Sequence, residues 1–303
     1  MRIAVSAFAV ILCLGSAACG GKGKSDGGPQ SLTRIVLEPT SSSTERKLDV
    51  SIELFNARLD KLGVKKASVA RESNRIVVIL PTDHVRESLR LLLLRGRLEF
   101  FDLQGDLTER SLDAQRYPVA LRRPPRAGPK TVVVTCGPNA YYCPGVADAP
   151  DRAYYYLFNY DPGNDKHSVP ELTGDDLEFK GTRQDFDTAS SQPVVLIQFT
   201  KAGAKKFHDI TRRLAARGRV LHNQIGGEPE VAFQQFAIVL DRKMYSAPTI
   251  DYNENPAGIP GRNGAQITGL GSLQDAKDLA LVLQTGALPL AFRVVSRQDA
   301  PKP

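Results

Sequence analysis

Few side chains in this sequence combine type and spacing in a way that supports chemistry. The histidines His84, His167, His208 and His222 fall in different segments. None has the short spacing that places imidazoles on one metal ion, so they read as surface polar groups. No G-x-S-x-G, H-E-x-x-H or G-x-x-x-x-G-K-S/T run occurs. The neighbours Asp175 and Asp176 need not share a face or a proton, and they read as a turn or helix start. The cysteines are more informative. Cys136 and Cys143 flank Gly137-Pro138-Asn139-Ala140-Tyr141-Tyr142, a turn-forming stretch. In an oxidising compartment such a pair is expected to form a disulfide. Closing so short a loop contributes about 2–3 kcal/mol on a chain-entropy basis. No histidine lies near them to complete a metal set, and the spacing exceeds that of a redox C-x-x-C. The expectation is a protein without catalytic activity, cofactor or metal.

The remaining cysteines concern targeting. Residues 1–18 form a secretory signal, with Arg2 its only charge, Ile3 to Leu14 apolar, and Gly15-Ser16-Ala17-Ala18 small. Cys13 leaves with this signal. Cys19 follows the small residues directly, as in a bacterial lipobox, so it is expected to become an acylated N-terminus, although Ser16 stands where leucine is commoner. The alternative is ordinary cleavage after Ala18, releasing a free protein. An uncleaved anchor is disfavoured because the apolar stretch is short. Residues 19–30 are a Gly-rich tether that would hold the folded part roughly 15–20 Å from the bilayer. The expected location is the cell envelope, lipid-anchored and facing the periplasm or cell exterior.

About 285 residues remain after the signal, enough for one large or two ordinary domains. The hydrophobic fraction of 42% is that of a globular protein. The formal charge of +7 is spread along the chain, with Arg122-Arg123, Lys205-Lys206 and Arg212-Arg213 as its local pairs. It reads as a solvated basic surface, and the export signal argues against a nucleic-acid partner.

Periodicity then places the elements. Residues 31–104 read β-α-β-β-α-β. Ile35 to Leu37 is a strand; a helix after Ser43-Thr44 buries Ile52, Phe55, Leu59 and Leu62 and stops at Gly63. Strands follow at Val69 and at Arg75 to Leu80, then a helix from Val85 to Leu94 and a fourth strand from Leu98 to Leu103. That order is the ferredoxin-like split βαβ. Residues 105–171 are an irregular insertion rich in proline. Two strands, Thr131 to Thr135 and Ala153 to Tyr160, join through the cysteine loop, with one or two rings of Tyr154-Tyr155-Tyr156 buried.

Residues 172–288 form a further α+β unit. Pro193 to Phe199 is a strand, and Thr200 caps a helix whose inner face is Ala204, Phe207, Ile210 and Leu214. An apolar strand over Ala237 to Leu240 turns at Asp241-Arg242 into a return strand over Met244 to Ile250. A left-handed arginine in that turn costs about 1–2 kcal/mol, so another turn type is the alternative. Ser272 with Asp275 forms a capping box for a helix carrying Ala276, Leu279, Ala280 and Leu283, stopped by Gly286 and Pro289. The final strand, Leu290 to Arg297, is expected to return to the first unit, so that 289–298 completes it.

Several of these residues carry a family resemblance. Ala237-Ile238-Val239-Leu240-Asp241-Arg242-Lys243 with Ser246-Ala247-Pro248, then Ala265-Gln266-Ile267-Thr268-Gly269, then Ala276 through Pro289 resemble the first periplasmic domain of SecD. Arg58 with Gly63-Val64, Arg75 through Pro81, and Leu172-Thr173-Gly174 agree in the same order. The matches cover most of residues 44–104 and 172–296, whereas 105–171 has no good counterpart, and Thr211 to Phe236 is a longer insertion than the family's. The resemblance implies an α+β fold, a ferredoxin-like base with an inserted, mobile head. It marks Arg58, Gly63, Pro81, Gly174, Asp241, Pro248, Gly269, Gly286 and Pro289 as motif positions.

SecD proteins also carry transmembrane helices that use the proton gradient. Past residue 19 no apolar run here approaches the roughly 20 residues of a span. The resemblance therefore implies a fold and a ligand class, unfolded or exported polypeptide and Sec translocon components, without the motor. The alternative is an adaptor lipoprotein that contacts one fixed envelope partner. An apolar groove would favour the first and a flat charged surface the second.

Overall fold

The computed structural model describes residues 31–299 apart from 110, 139, 141, 165 and 166. The signal segment, Cys19 and the tether lie outside the described residues. In chain order the first elements are β1 (Leu32–Pro39), α1 (Glu45–Lys61), β2 (Ser68–Glu72), β3 (Arg75–Pro81) and α2 (Val85–Leu93). Then come β4 (Leu98–Asp102), α3 (Leu103–Asp106), α4 (Leu112–Arg116), β5 (Thr131–Cys136), β6 (Tyr154–Asn159), β7 (Leu172–Thr173) and β8 (Leu177–Phe186). The chain ends with β9 (Pro193–Phe199), α5 (Lys201–Ile225), β10 (Gln234–Leu240), β11 (Lys243–Ser246), β12 (Thr249–Ile250), β13 (Ala265–Ile267), α6 (Leu273–Thr285) and β14 (Phe292–Asp299). Among the described residues no helix is long and apolar enough to cross a membrane.

The base is an antiparallel sheet in the order β14-β1-β3-β2, with α1 and α2 on one face. Alternation sets its register. Ile35 and Leu37 of β1 face inward opposite Val78 and Ile76 of β3, over Leu48, Phe55 and Leu59 of α1. Thr44 caps α1, its hydroxyl accepting from the Lys47 amide, and Gly63 follows the helix with a φ of 69°.

Residues 98–103, expected to close this sheet, do not. Every residue of β4 is buried, so the strand needs cover on both faces, which an edge of the base cannot supply. It pairs instead with β10 (Phe236↔Asp102 through Leu240↔Leu98) inside a larger sheet, β6-β5-β11-β10-β4-β7. β14, exposed along most of its length, takes the edge beside β1. The base thus ends near residue 95 rather than 104.

β4 and β10 serve two cores at once. Phe100, Phe236 and Ile238 face a core built from α5, α6 and the sheet β13-β9-β8. Phe101, Ala237 and Val239 face the opposite core, under β5 and β6. Within the insertion Tyr156 is wholly buried while Tyr154 and Tyr155 are half-buried.

The stretch from Thr211 to Phe236 is mostly helix. α5 runs 25 residues to Ile225, passing through Gly218, where a side chain would collide with the Ala232 carbonyl and the Tyr252 ring. The glycine is there for close packing, not to end the helix.

Candidate functional site: a groove and a buried junction

A cavity of about 670 Å³ forms a groove between the ridge Tyr245 to Thr249 and the segment Thr268 to Leu270 that follows β13. Its edges follow from strand pairing. β11 pairs with β10 along one side, but on the other it meets β5 only at Lys243↔Thr135. The edge of β11 beyond that point, at Tyr245 and Ser246, borders the groove. Two of the motif positions, Pro248 and Gly269, line it. At one end the Asp187 carboxylate accepts from the Ser190 amide and hydroxyl and the Ala189 amide. These bonds, the Ser190 amide first, hold its carboxyl below the usual range. Burial pushes the Tyr245 phenol up to about 12, so it remains a neutral donor.

Tyr142 stands where this groove meets a second cavity of about 400 Å³, lined by Tyr117, Val231 and Phe233. Its loop is fixed from below. Cys136 and Cys143 are disulfide-bonded, with Cα atoms 5.9 Å apart and both side chains buried. The Tyr156 hydroxyl donates to the Pro144 carbonyl at 2.6 Å. Gly145, at φ 77°, sits so close to the Pro118 carbonyl that any side chain would collide with it.

The other site is polar and closed. Arg58, fully buried, donates to the carbonyls of Leu91 (2.8 Å) and Leu94 at the end of α2. It also donates to the Gly286 carbonyl (3.0 Å) and the Thr285 hydroxyl (3.3 Å) at the end of α6. One guanidinium thus holds two helix C-termini, one from the base and one from the head. Burial pulls its pKa down to about 10, which leaves it charged at neutral pH. Beside it the Asp241 carboxylate accepts from the Gly96 (3.0 Å) and Arg97 (2.9 Å) amides.

These bonds lie where the chain leaves the base, at 94–97. The return is tied to the same point by the Leu288 amide on the Arg95 carbonyl, at 2.7 Å. The chain therefore leaves the base at 94–97 rather than after 104, it returns at 288, and both crossings are pinned. Gly174 and Gly286 share a small notch of about 200 Å³ with Gly96 and Phe179. Pro81 ends β3 and Pro289 lies just past the junction, both outside the groove.

The turn after β10 also differs from the expected alternative. Asp241 (φ 49°) and Arg242 (φ 66°) are both left-handed. The cost, about 1–2 kcal/mol for a non-glycine residue, is met by what the side chains reach. Arg242 donates to buried Glu99 at 2.9 Å and lies 4.7 Å from the centre of the Tyr160 ring. Burial pushes the Glu99 carboxyl up, and Arg242 and Arg97 oppose that rise.

His167 is not the isolated surface group its position in the sequence implied. Its Nε2 lies 3.3 Å from Asp106 and its Nδ1 3.6 Å from Glu171. Ligand atoms of these residues lie within 4.8 Å of one another, a spacing a metal ion would accept. Arginines already fill the place. Arg213 pairs with Glu171, and Arg217 makes two bonds to Asp102, at 2.7 and 2.5 Å. Three carboxylates then face two guanidiniums and one imidazole, so a proton on His167 balances the cluster and a divalent cation would add repulsion. Burial raises Glu171 to about 7, and the hydrogen bond that His167 donates to Asp106 raises His167.

Comparison with known proteins bears on the same segments. Residues 161–290 match the SecDF P1 head subdomain. The protein translocase subunit SecD of Acidaminococcus fermentans is 37% identical over 272 residues, covering 88% of this chain and 44% of that protein. SecD of Rhodobacter capsulatus is 30% identical over 261 residues, covering 84% and 36%. The chain carries the P1 region of the SecD/SecDF family. Its fold is similar to a solved structure described as a membrane component SecDF that enhances protein export. The TM-score is 0.51 at 25% identity, with 87% of this chain and 98% of that one covered.

The chain spans less than half the length of these two SecD proteins. At 84–88% coverage of this chain, the matched range runs across residues 105–171. The nine motif positions separate in space. Arg58, Asp241 and Gly286 meet at the junction, Pro248 and Gly269 at the groove. Sequence reasoning missed Tyr142 as a groove residue and the Asp106–His167–Glu171 cluster. For the latter the available signal was Arg213 and Arg217, one turn apart on a helix.

Proposed function

We propose that this chain is an envelope lipoprotein, anchored through acylated Cys19, that captures unfolded or translocating polypeptide in connection with Sec-dependent export. The observation that carries this reading is the groove. It is bordered by the partly unpaired edge of β11, lined by the SecD-like residues Pro248 and Gly269, and among the described residues has one charged group, Asp187, in its wall. An extended chain laid there would add backbone hydrogen bonds to a strand edge and set alternate side chains into the cavity. Its relatives are named as protein translocase subunits, which makes an exported chain the fitting ligand. Transient cargo needs only micromolar affinity, about −8 kcal/mol.

The test is equilibrium binding of a permanently unfolded model polypeptide to the mature protein. Thr249, exposed and shared by both cavities, is the position to fill. Thr249→Trp is expected to weaken binding at least tenfold with an unchanged melting temperature. Tight binding to one folded envelope protein, with no saturable binding of unfolded chains, would favour an adaptor. For the anchor, mass spectrometry of the mature N-terminus is expected to show acylated Cys19, and Cys19→Ala to release the protein from membranes.

A further inference from the structure

We propose that Tyr142 is the specificity-determining residue of the groove, selecting extended polypeptide segments that carry aromatic side chains. This rests on the reading of the groove as a polypeptide site and adds to it a residue and a preference. Tyr142 lines both cavities and is 43% exposed as a residue. The other rings nearby are occupied. Tyr117 carries the Arg116 guanidinium 4.9 Å from its centre, and Phe233 packs edge-on against Tyr252 at 5.4 Å. Among the described residues, Tyr142 has neither a stacked ring nor a hydrogen-bond partner for its hydroxyl.

Exposed aromatic side chains are common on protein surfaces. This one is unusual in how firmly its backbone is held. The buried disulfide, the Tyr156 hydroxyl on Pro144 and the close approach of Gly145 to Pro118 fix the chain immediately after it. A loop anchored before binding loses little backbone freedom when a ligand stacks on its ring, and the ring's open face favours another π system. Charge argues for the same ligand class. Among the described residues, Asp187 is the one charged residue lining the larger cavity, and that carboxylate is already hydrogen-bonded. The cation beside its Tyr245 ring, the Lys243 ammonium, lies 5.2 Å from the ring centre, so discrimination within the cavity falls to rings and backbone. A chain crossing from one cavity to the other must pass the Tyr142 ring, which places one ligand side chain on either side of it.

The experiment measures binding of two extended peptides to the full mature protein, one with spaced Phe and Tyr residues and one with Ser and Gly in their place. Wild type is expected to prefer the aromatic peptide about tenfold, a difference of about 1.4 kcal/mol. Tyr142→Ala should bring that ratio close to one with an unchanged melting temperature, since the ring belongs to none of the three cores. Tyr142→Phe should keep the ratio, and Tyr142→Leu, which keeps apolar bulk without a ring, should lose most of it. Saturable binding whose ratio is unchanged in Tyr142→Ala overturns this inference and leaves the groove standing. Wild type that binds neither peptide overturns both.

Discussion

Residues 236–292 build both the junction and the groove, and they do so by opposite means. At the junction polar groups are buried and paired. Arg58 meets four backbone carbonyls and a hydroxyl, and Asp241 takes two amides. At the groove, a few residues further along the chain, β11 leaves part of one edge unpaired, and among the described residues the Tyr142 ring, in the cysteine loop, has no stacking or hydrogen-bond partner. Buried polar groups that are fully satisfied rigidify a fold, whereas open edges are where another chain can add itself. The closed site joins base to head, and the open one is free to bind.

Breaking the junction should have the largest effect on stability. Arg58→Ala leaves several buried carbonyls without donors and opens a cavity, and is expected to cost about 3–5 kcal/mol in chemical denaturation. Arg58→Lys should recover only part, because an ammonium cannot span two helix ends in one plane. If Arg58→Ala cost less than about 1 kcal/mol, the junction would not be the rigid element described here.

A smaller effect sharpens the groove side. Replacing Cys136 and Cys143 by serine should cost about 2–3 kcal/mol and leave the base and head cores folded. It should also release Tyr142, so the aromatic preference falls while weaker, non-selective binding remains. Stability and selectivity would then separate in one variant. Retained selectivity would mean that the other two anchors, Pro144 and Gly145, are enough.

The smallest effect is a pH dependence at the Asp106–His167–Glu171 cluster. His167 and Glu171 both have raised pKa values in the folded state, so the native protein holds more protons than the unfolded chain. Stability from this cluster is complete in acid and declines as pH rises, from about 4.5 towards about 7 for Glu171 and from 6.5 upward for His167. Because His167 is half-exposed and screened, the expected contribution is about 1 kcal/mol or less. Denaturation of wild type and His167→Gln should differ most near pH 5.5 and converge above pH 8, to within about a few tenths of a kcal/mol. A constant gap across that range would show that His167 acts by packing rather than by charge.

Much of this architecture is legible in the sequence because local rules and the fold agree there. Ser272 caps α6 through the Asp275 amide, Gly286 ends it, and Thr200 caps α5. The failures have physical causes. A short strand such as β4, Leu98-Glu99-Phe100-Phe101-Asp102, fits any sheet that buries both its faces and pairs its carboxylates, and only pairing with β10, more than 130 residues away, decides which. Gly218 and Pro229 look like breakers, yet Gly218 lies within α5 for lack of room and Pro229 lies beyond the helix end. The left-handed Arg242 becomes intelligible only once Glu99 and Tyr160 are seen beneath it. His167 gains a partner, Asp106, from 61 positions away, and no spacing rule anticipates that. Tyr142 had a local signal, its place in the cysteine loop, but the cavity it overlooks is formed by distant segments.

The most direct test of the groove's role is amide hydrogen exchange on the mature protein, with and without a saturating unfolded polypeptide. The account predicts added protection at Tyr245 and Ser246 and across Thr268 to Leu270, with the amides of Gly96, Arg97 and Leu288 at the junction unchanged. Saturating ligand that leaves the groove amides unprotected, or that protects the open face of the base sheet instead, would contradict it.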